Sequence, residues 1–254
     1  MAHRLGPPER GMQVINSAKR LIVALDMKDE TEALRLVEEL VPKVQQFKVG
    51  MALFYSAGPQ IVEAIHRRGA DVFLDLKLHD IPNTVEGAGH ALAQRKVWMT
   101  NVHASGGVEM MKAARRALPD TILLAVTVLT SWQQDDFNDF LGISGSIETT
   151  VEQWSRAAQK AGLDGVVCSP EEIRTVREAL GPEFLIVTPG IRPEWAAADD
   201  QKRIMTPARA VALGSDYLVI GRPITKADDP GRAVERIIGA LRDEDEKGVD
   251  SFDE

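Results

Sequence analysis

The chain has 254 residues, enough for one large domain or two small ones, and length alone does not choose between them. Hydrophobic residues make up 44% of the chain and charged residues 27%, values typical of globular proteins, which excludes global disorder. The formal net charge of −8 disfavours nucleic acid as a partner, although it leaves room for a local basic pocket that binds a small anion.

Residues 1–19 form a mixed, polar stretch without a continuous apolar segment. Such a stretch is not typical of a secretory signal, and we expect a flexible lead-in. No later run reaches the roughly 18 to 20 consecutive apolar residues that a membrane span needs. The sequence therefore predicts a cytoplasmic protein without a membrane segment.

Eight short apolar runs follow, most of them nearly continuous in hydrophobicity rather than alternating. This pattern is typical of parallel strands that are covered on both faces. The spacing between the runs leaves room for one crossover helix each. In chain order the runs are LIVALD from Leu21, FKVGM from Phe47, DVFLDLKL from Asp71, MTNVHAS from Met99, TILLAVTVLT from Thr121, DGVVCS from Asp164, EFLIVTPG from Glu183 and DYLVIGR from Asp216.

The segments between the runs carry the periodicity of amphipathic helices. Between the first two runs, for example, Leu36, Val37 and Leu40 share one apolar face. Strand and helix alternate eight times without a Pro/Gly/Ser-rich linker, which predicts a single (β/α)8 TIM barrel over residues 20–242. A doubly wound sheet is the alternative, although no glycine-rich dinucleotide motif follows the first run. Residues 243–254 are acidic and are predicted to form a flexible tail.

Charged residues lie where the predicted strands end, which in a barrel is the face that holds the active site. The first strand ends at Asp26, the second carries Lys48, and the third carries Asp75 and Lys77, with Asp80 just beyond. Because Asp75 and Lys77 are two residues apart on a strand, we expect both to point into the barrel mouth. Flanking carboxylates keep such a lysine charged and able to donate a proton. The alternative is an ion-pair network that only ties strands together.

Two later strand ends carry residues typical of phosphate binding, which in such barrels falls after strands seven and eight. Gly221 and Arg222 follow the eighth strand, where backbone N–H groups and a guanidinium can both reach an anion. Pro189, Gly190 and Arg192 begin a long connection after the seventh strand. For each arginine taken alone, the alternative is a surface cation.

The run DLKLHDIPNTV, residues 75–85, resembles the signature of the orotidine 5′-phosphate decarboxylase family. The chain also contains LIVALD, FKVGMALFYSAGP, NVHASGG, AVTVLTS, DGVVCS, VTPGIRP and IGRPITKADDP, in the order of the family's bacterial form. The resemblance covers residues 20–241. It implies an enzyme that converts orotidine 5′-monophosphate to uridine 5′-monophosphate (UMP), the last step of de novo pyrimidine synthesis, without a cofactor or a metal.

The resemblance also implies roles for individual residues. Lys77 matches the proton donor to C6 of the pyrimidine, and Asp75 matches the carboxylate beside the departing CO2 group. Lys48 and Asp80 match the rest of an alternating array, in which the last aspartate reaches the neighbouring site of a homodimer. The remaining matches are to substrate contacts: Asp26 and Lys48 at the ribose hydroxyls, Ile81 and Thr84 from the partner subunit, Thr130 at the pyrimidine, and Pro189, Arg192 and Gln201 in a loop that closes on the phosphate.

Two other functions stay open. One is a magnesium-dependent aldolase or decarboxylase of sugar phosphates, because hexulose-phosphate synthase and ketogulonate-phosphate decarboxylase resemble this D-x-K-x-x-D barrel. Residues 81–84, after Asp80, favour the first function, and no counterpart of an additional metal-holding acid is evident. The other is a nucleotide-binding barrel without turnover. The presence of all four charged array residues argues against it. His79 and His103 are not expected to bind a metal, because a site would need further ligands.

Two features carry no predicted catalytic role. Cys168 ends a valine-rich run and is expected to be a small buried hydrophobe, and a single cysteine suits a reducing cytoplasm. Residues 131–150 form a long connection after the fifth strand, of the kind that can act as a lid.

Overall fold

The computed structural model describes residues 16–196 and 205–250, with side chains described as far as residue 244. In this part of the chain, eight parallel strands pair in chain order, and the first strand also pairs with the eighth to close a barrel. The predicted (β/α)8 barrel is therefore confirmed. The strands are β1 (Leu21–Ala24), β2 (Gln46–Gly50), β3 (Asp71–Leu78), β4 (Met99–His103), β5 (Ile122–Val126), β6 (Gly165–Val167), β7 (Leu185–Thr188) and β8 (Tyr217–Ile220).

Helices connect the strands and cover the outside of the barrel. In the described part of the chain, none of them is long and apolar enough to cross a membrane. The α-helices are α1 (Glu30–Leu40), α2 (Met51–Ala57), α3 (Gln60–His66), α4 (Pro82–Ala93), α5 (Gly107–Ala117), α6 (Gln134–Leu141), α7 (Ile147–Lys160), α8 (Ile173–Leu180), α9 (Pro207–Ala212), α10 (Arg222–Thr225) and α11 (Pro230–Asp250). Short 3-10 helices lie at Ser17–Arg20, Ala104–Gly106 and Glu194–Ala196.

Two layers of buried apolar side chains hold the barrel together. Strand residues such as Val23 and Leu74 point outward and pack against the helices. Alternate residues such as Ile22 and Phe73 point inward and fill the barrel interior with a second cluster. Because the interior is filled by side chains, a ligand site has room only above this cluster, at the barrel mouth.

The last helix extends past the boundary predicted at residue 242, since α11 continues to Asp250. Glu244, Glu246 and Lys247 are good helix formers and favour this continuation. Most of residues 1–19, and residues 251–254, lie outside the described residues. The division of the chain into lead-in, barrel and tail stays a prediction.

Candidate active site

A cavity of about 530 Å³ opens at the C-terminal ends of the strands, a size typical of small-molecule sites. Strand ends from β1 to β4 form one side of it, and the segments after β7 and β8 form the other. The structure thus brings together predicted site residues that are far apart in the sequence. Those that line the cavity are Asp26, Lys48, Asp75, Lys77, Thr130, Pro189, Arg192, Gly221 and Arg222.

One side of the cavity holds a chain of ion pairs centred on Asp75. One oxygen, Oδ1, lies 2.6 Å from Nζ of Lys77, and the other, Oδ2, lies 3.2 Å from Nζ of Lys48. Lys48 also donates a 2.8 Å hydrogen bond to Oδ1 of Asp26. The side chains of Lys48 and Asp75 are nearly buried, whereas Lys77 is 26% exposed. Lys77 is therefore the array's accessible ammonium.

Burial and charge act in opposite directions on this array. Burial alone would raise the pKa of Asp75, but the ammonium groups of Lys48 and Lys77 outweigh it and hold that pKa below its usual range. Burial alone would lower the pKa of Lys48, but Asp75 and Asp26 outweigh it and raise that pKa. Asp75 and Lys48 therefore both keep their charges at neutral pH.

The strand that carries Asp75 and Lys77 is irregular at this point. Residues 74–78 of β3 lie opposite residues 100–102 of β4, so that the third strand bulges. Within the bulge, Lys77 has a left-handed backbone with φ of 53°, which is rare for a residue other than glycine. Asp75 and Lys77 nevertheless both line the cavity, whereas Leu74, Leu76 and Leu78 pack on the outer cluster, as the two-residue alternation predicts. The bulge therefore changes the strand pairing and the backbone at Lys77, but not the side of the strand on which its side chain lies.

Asn101 of β4 lies opposite this bulge and bonds to both functional residues. Its Oδ1 accepts a 2.8 Å hydrogen bond from the backbone N–H of Lys77, and its Nδ2 donates a 2.7 Å bond to Oδ1 of Asp75. Asn101 is buried and lines the cavity. The sequence analysis did not single it out, although an asparagine within an apolar strand needs buried partners and could have been flagged for that reason.

The opposite side of the cavity is cationic. Arg192 and Arg222 line it, and among the described residues neither guanidinium has a hydrogen-bond or ion-pair partner. Lys226 adds a third cation to the lining. Sequence reasoning missed Lys226, although it follows Arg222 by four residues, a spacing that places two side chains on one face of a helix. This side can bind an anion without first breaking an internal ion pair.

Four predicted site residues are not part of the described cavity. Asp80, Ile81 and Thr84 lie between β3 and the first turn of α4, and all three are exposed, Ile81 by 66%. Oδ1 of Asp80 accepts a 2.6 Å hydrogen bond from the backbone N–H of Ile81. Gln201 lies outside the described residues, so its phosphate contact stays a prediction.

His79, His103 and Cys168, to which no catalytic role was assigned, lie at the C-terminal ends of strands. The rings of His79 and His103 are 5.3 Å apart, and burial, with the charges of His79 and Lys77, lowers the pKa of His103. Among the residues that the structure describes, no group of three His, Cys, Asp or Glu side chains could hold a metal ion. Cys168 is buried in the cavity wall, as predicted, and burial raises the pKa of its thiol.

The connection over residues 131–150 contains α6 and the first turn of α7. Phe137 anchors α6 because it is fully buried and packs edge-to-face against Trp132, with ring centroids 6.4 Å apart. None of these residues lines the described cavity, which ends at Thr130 on this side. The action of residues 131–150 as a lid stays a prediction.

The fold and the site define a class of protein: a (β/α)8 barrel whose mouth pairs a fixed lysine–aspartate array with a separate cationic wall. The model of the orotidine 5′-phosphate decarboxylase / HUMPS family matches residues 19–237 of this chain. The chain belongs to this family. The resemblance found in the sequence is therefore confirmed.

Individual relatives agree with the family match. Proteins named orotidine 5′-phosphate decarboxylase from Saccharophagus degradans and Syntrophomonas wolfei are 52% and 48% identical to this chain. The matches cover 87% and 90% of this chain, and 94% and 100% of the relatives. The crystal structure of orotidine 5′-phosphate decarboxylase from Lactobacillus acidophilus has a TM-score of 0.79 at 39% identity, covering 88% of this chain and 99% of that chain.

Proposed function

We propose that this protein decarboxylates orotidine 5′-monophosphate to UMP without a cofactor, in pyrimidine nucleotide synthesis. The observation that carries the proposal is the Lys48–Asp75–Lys77 array on one side of the cavity, opposite Arg192 and Arg222. An ammonium suits the reacting carbon, and guanidinium groups suit a phosphate. The names of the relatives, which match over nearly their whole length, support the same activity.

Lys77 performs the proton transfer in this proposal. Decarboxylation breaks the bond between C6 and the carboxylate carbon, releases CO2 and leaves the electron pair on C6. A fixed cation stabilises this charge as it develops, without the reorganisation that water would need. The ammonium of Lys77 faces the cavity, held 2.6 Å from Asp75. It then gives its proton to C6, and the neutral amine regains a proton from solvent.

Asp75 and the residues around it orient the reactants. The carboxylate of Asp75 lies beside the departing CO2 group, where the two like charges favour loss of CO2. Lys48 and Asp26, joined by a 2.8 Å hydrogen bond, bind the ribose hydroxyls. Thr130 contacts the pyrimidine. Together these groups fix C6 next to Lys77, which converts proton transfer into a step between positioned partners.

The phosphate binds at the opposite side of the cavity. Arg192 and Arg222 supply guanidinium groups, and the backbone near Pro189 and Gly221 lets N–H groups approach the anion. Gln201 completes the contact in the proposal. The negative net charge of the chain does not oppose this, because these cations dominate the local field at the mouth.

We also propose a homodimer in which Asp80, Ile81 and Thr84 reach the neighbouring site. Their exposure and their position outside the described cavity support this. Mixing Lys77→Ala with Asp80→Ala under conditions of subunit exchange should regenerate about a quarter of the parental sites, since each mixed dimer of a twofold assembly has one intact site. Failure despite proven exchange would place Asp80 in its own subunit's site.

The reaction is tested by the fall in absorbance of orotidine 5′-monophosphate when purified protein is added, with Lys77→Ala as the control. The expected result is a rapid fall with the parent, no fall with the variant, and an unchanged parental rate in excess chelator. No fall with the parent would support a binding barrel without turnover. Loss of activity in chelator that magnesium restores would support the metal-dependent class.

We place the protein in the cytoplasm. Its one cysteine, Cys168, is buried and forms no disulfide, which suits a reducing compartment. Cell fractionation tests this location, and recovery of the protein outside the cytoplasmic fraction would contradict it.

A further inference from the structure

We propose that Asn101 is a positioning residue that holds the Lys77 ammonium and the Asp75 carboxylate in their reactive arrangement. The inference rests on the proposed function and extends it to a residue that does not itself react. Its basis is one buried carboxamide that bonds at the same time to the backbone of the proton donor and to the side chain of its counter-ion.

The bulge in β3 creates the need for such a residue. Residues 74–78 face only residues 100–102 of β4, so Lys77 does not continue the regular strand ladder. Its backbone N–H donates to Oδ1 of Asn101 instead, at 2.8 Å. The left-handed φ of 53° at Lys77 is costly and persists only where neighbouring contacts determine it. The hydrogen bond from Lys77 N–H to Asn101 is such a contact.

The second half of the carboxamide acts on Asp75. Nδ2 donates to Oδ1 of Asp75, the same oxygen that accepts the bond from Lys77 Nζ. The two bonds fix the orientation of the amide, because only the nitrogen can donate to a carboxylate and only the oxygen can accept from an N–H. A single rigid group therefore sets both ends of the Asp75–Lys77 ion pair.

Thr100 provides a matched comparison for a purely structural bond. It is also buried on β4 and donates a 2.8 Å hydrogen bond across the same strand pair, to the backbone carbonyl of Leu74. It is not among the residues that line the cavity. Replacing Thr100 weakens the β3–β4 pairing next to the bulge without touching the ion pair.

The test compares Asn101→Leu, Asn101→Asp and Thr100→Val by kcat, by the Kd for UMP and by Tm. For Asn101→Leu we expect a fall in kcat of about 100-fold, the size associated with a displaced catalytic group, with a Kd for UMP within about threefold of the parent. Thr100→Val should lower Tm and keep kcat within about threefold. Equal losses of kcat in Asn101→Leu and Thr100→Val would overturn the proposal.

The pH dependence of Asn101→Asp separates positioning from general weakening. A new carboxylate beside Asp75 raises the pKa of one member of the pair, and when protonated it can again donate a hydrogen bond to Asp75. The kcat deficit of Asn101→Asp relative to the parent should therefore shrink as the pH falls from about 8 to 5. The deficit of Asn101→Leu should stay constant. A deficit of Asn101→Asp that does not change with pH contradicts the proposal.

A chemical modification rate tests the role of Asn101 independently of the decarboxylation reaction. The rate of acetylation of Lys77 by acetic anhydride, followed by mass spectrometry, reports on how firmly its ammonium is held, whether or not the protein turns over substrate. Asn101→Leu should accelerate it several-fold, and Thr100→Val should not. An unchanged rate in Asn101→Leu refutes the role of Asn101, whereas a parent that fails to turn over substrate refutes only the proposed function.

Discussion

The two ends of the barrel hold similar buried ion pairs and use them differently. At the N-terminal ends of the strands, Asp216 lies 2.7 Å from Arg177, just before β8. At the C-terminal ends, Asp75 lies between Lys77 and Lys48. The aspartate side chains are comparably buried, 18% exposed at the N-terminal end and 11% at the C-terminal end. Residue type and burial alone therefore do not separate a structural ion pair from a reactive one.

The partners of each cation separate them. Asp216 accepts a further bond from the backbone N–H of Ile186, and the remaining donors of Arg177 bond to backbone carbonyl groups. The pair is therefore fully used in joining α8 to the starts of β7 and β8. Lys77 pairs only with Asp75 among the described residues and faces the cavity. The charged groups at the N-terminal ends of the strands therefore stabilise the fold, whereas the ammonium of Lys77 can still contact a substrate.

The pKa values of Asp216 and Asp75 also shift in opposite directions. Burial raises the pKa of Asp216, because Arg177 only partly offsets it. Burial would do the same to Asp75, but two ammonium groups reverse the direction and lower its pKa. Two cations around one carboxylate thus keep Asp75 charged although its side chain is nearly buried.

The largest expected effect is that of Lys77→Ala. In the proposed mechanism this change removes both the cation beside C6 and the proton donor, so kcat should fall at least about 1,000-fold. The Kd for UMP should change little, because the phosphate side is untouched. The matched control is Lys96→Ala, since Lys96 is the other described non-glycine residue with a left-handed backbone, at φ of 56°, and lies before β4 at the opposite end. A comparable loss of kcat in Lys96→Ala would remove the distinction between the two ends.

Next in size is the effect of Arg222→Ala on phosphate recognition. Losing charge-assisted hydrogen bonds to the phosphate should weaken the Kd for UMP by about 10- to 100-fold. The Kd for uridine, which lacks the phosphate, should not change. Arg232→Ala, an exposed arginine of α11 that does not line the cavity, serves as the control. Equal weakening of UMP and uridine by Arg222→Ala would show that Arg222 does not bind the phosphate.

The fold was more predictable from the sequence than the details of the site. Each strand lies in a predicted run to within one residue, because parallel strands buried on both faces need continuous apolar segments. Asp75 and Lys77 stood out since charges are rare in such segments. The bulge at Lys77 could not be predicted, because it depends on pairing with a strand more than 20 residues away. For the same reason, the positioning role of Asn101 could be inferred only from the residues that it contacts in the structure.

Acid stability should distinguish the two aspartates. The contribution of Asp75, whose pKa is lowered, is present above the unfolded value of about 3.9 and is lost as the pH falls through the folded value. The pH-dependent part of the contribution of Asp216, whose pKa is raised, is fully present below about 3.9 and is lost as the pH rises through the folded value. From pH 6 to 3, the Tm advantage of the parent over Asp75→Asn should therefore shrink, and its advantage over Asp216→Asn should grow. The same trend in both variants would contradict these pKa directions.

The smallest expected effect concerns a contact behind the phosphate side. The guanidinium of Arg236 lies 4.4 Å from the ring centroid of Trp195, which ties the segment after Arg192 to α11. Such a contact is worth about 0.5 to 1 kcal/mol at an exposed site, so Trp195→Leu should raise KM about two- to fivefold with little change in kcat. Arg236→Lys keeps a cation over the ring and should have a smaller effect. A fall in kcat without a rise in KM would assign Trp195 to the chemistry instead.

The most direct test of the central claim is the rate of CO2 release at saturating orotidine 5′-monophosphate in two matched variants, Asp75→Asn and Asp216→Asn. Asp75→Asn leaves Lys77 without its ion-pair partner and Asp216→Asn does the same to Arg177, so both should lower the free energy of unfolding, by about 1 to 3 kcal/mol. We expect the rate to fall at least about 100-fold in Asp75→Asn and to stay within about threefold of the parent in folded Asp216→Asn. Equal rates in the two folded variants would contradict the assignment of chemistry to one end of the barrel and of stability to the other.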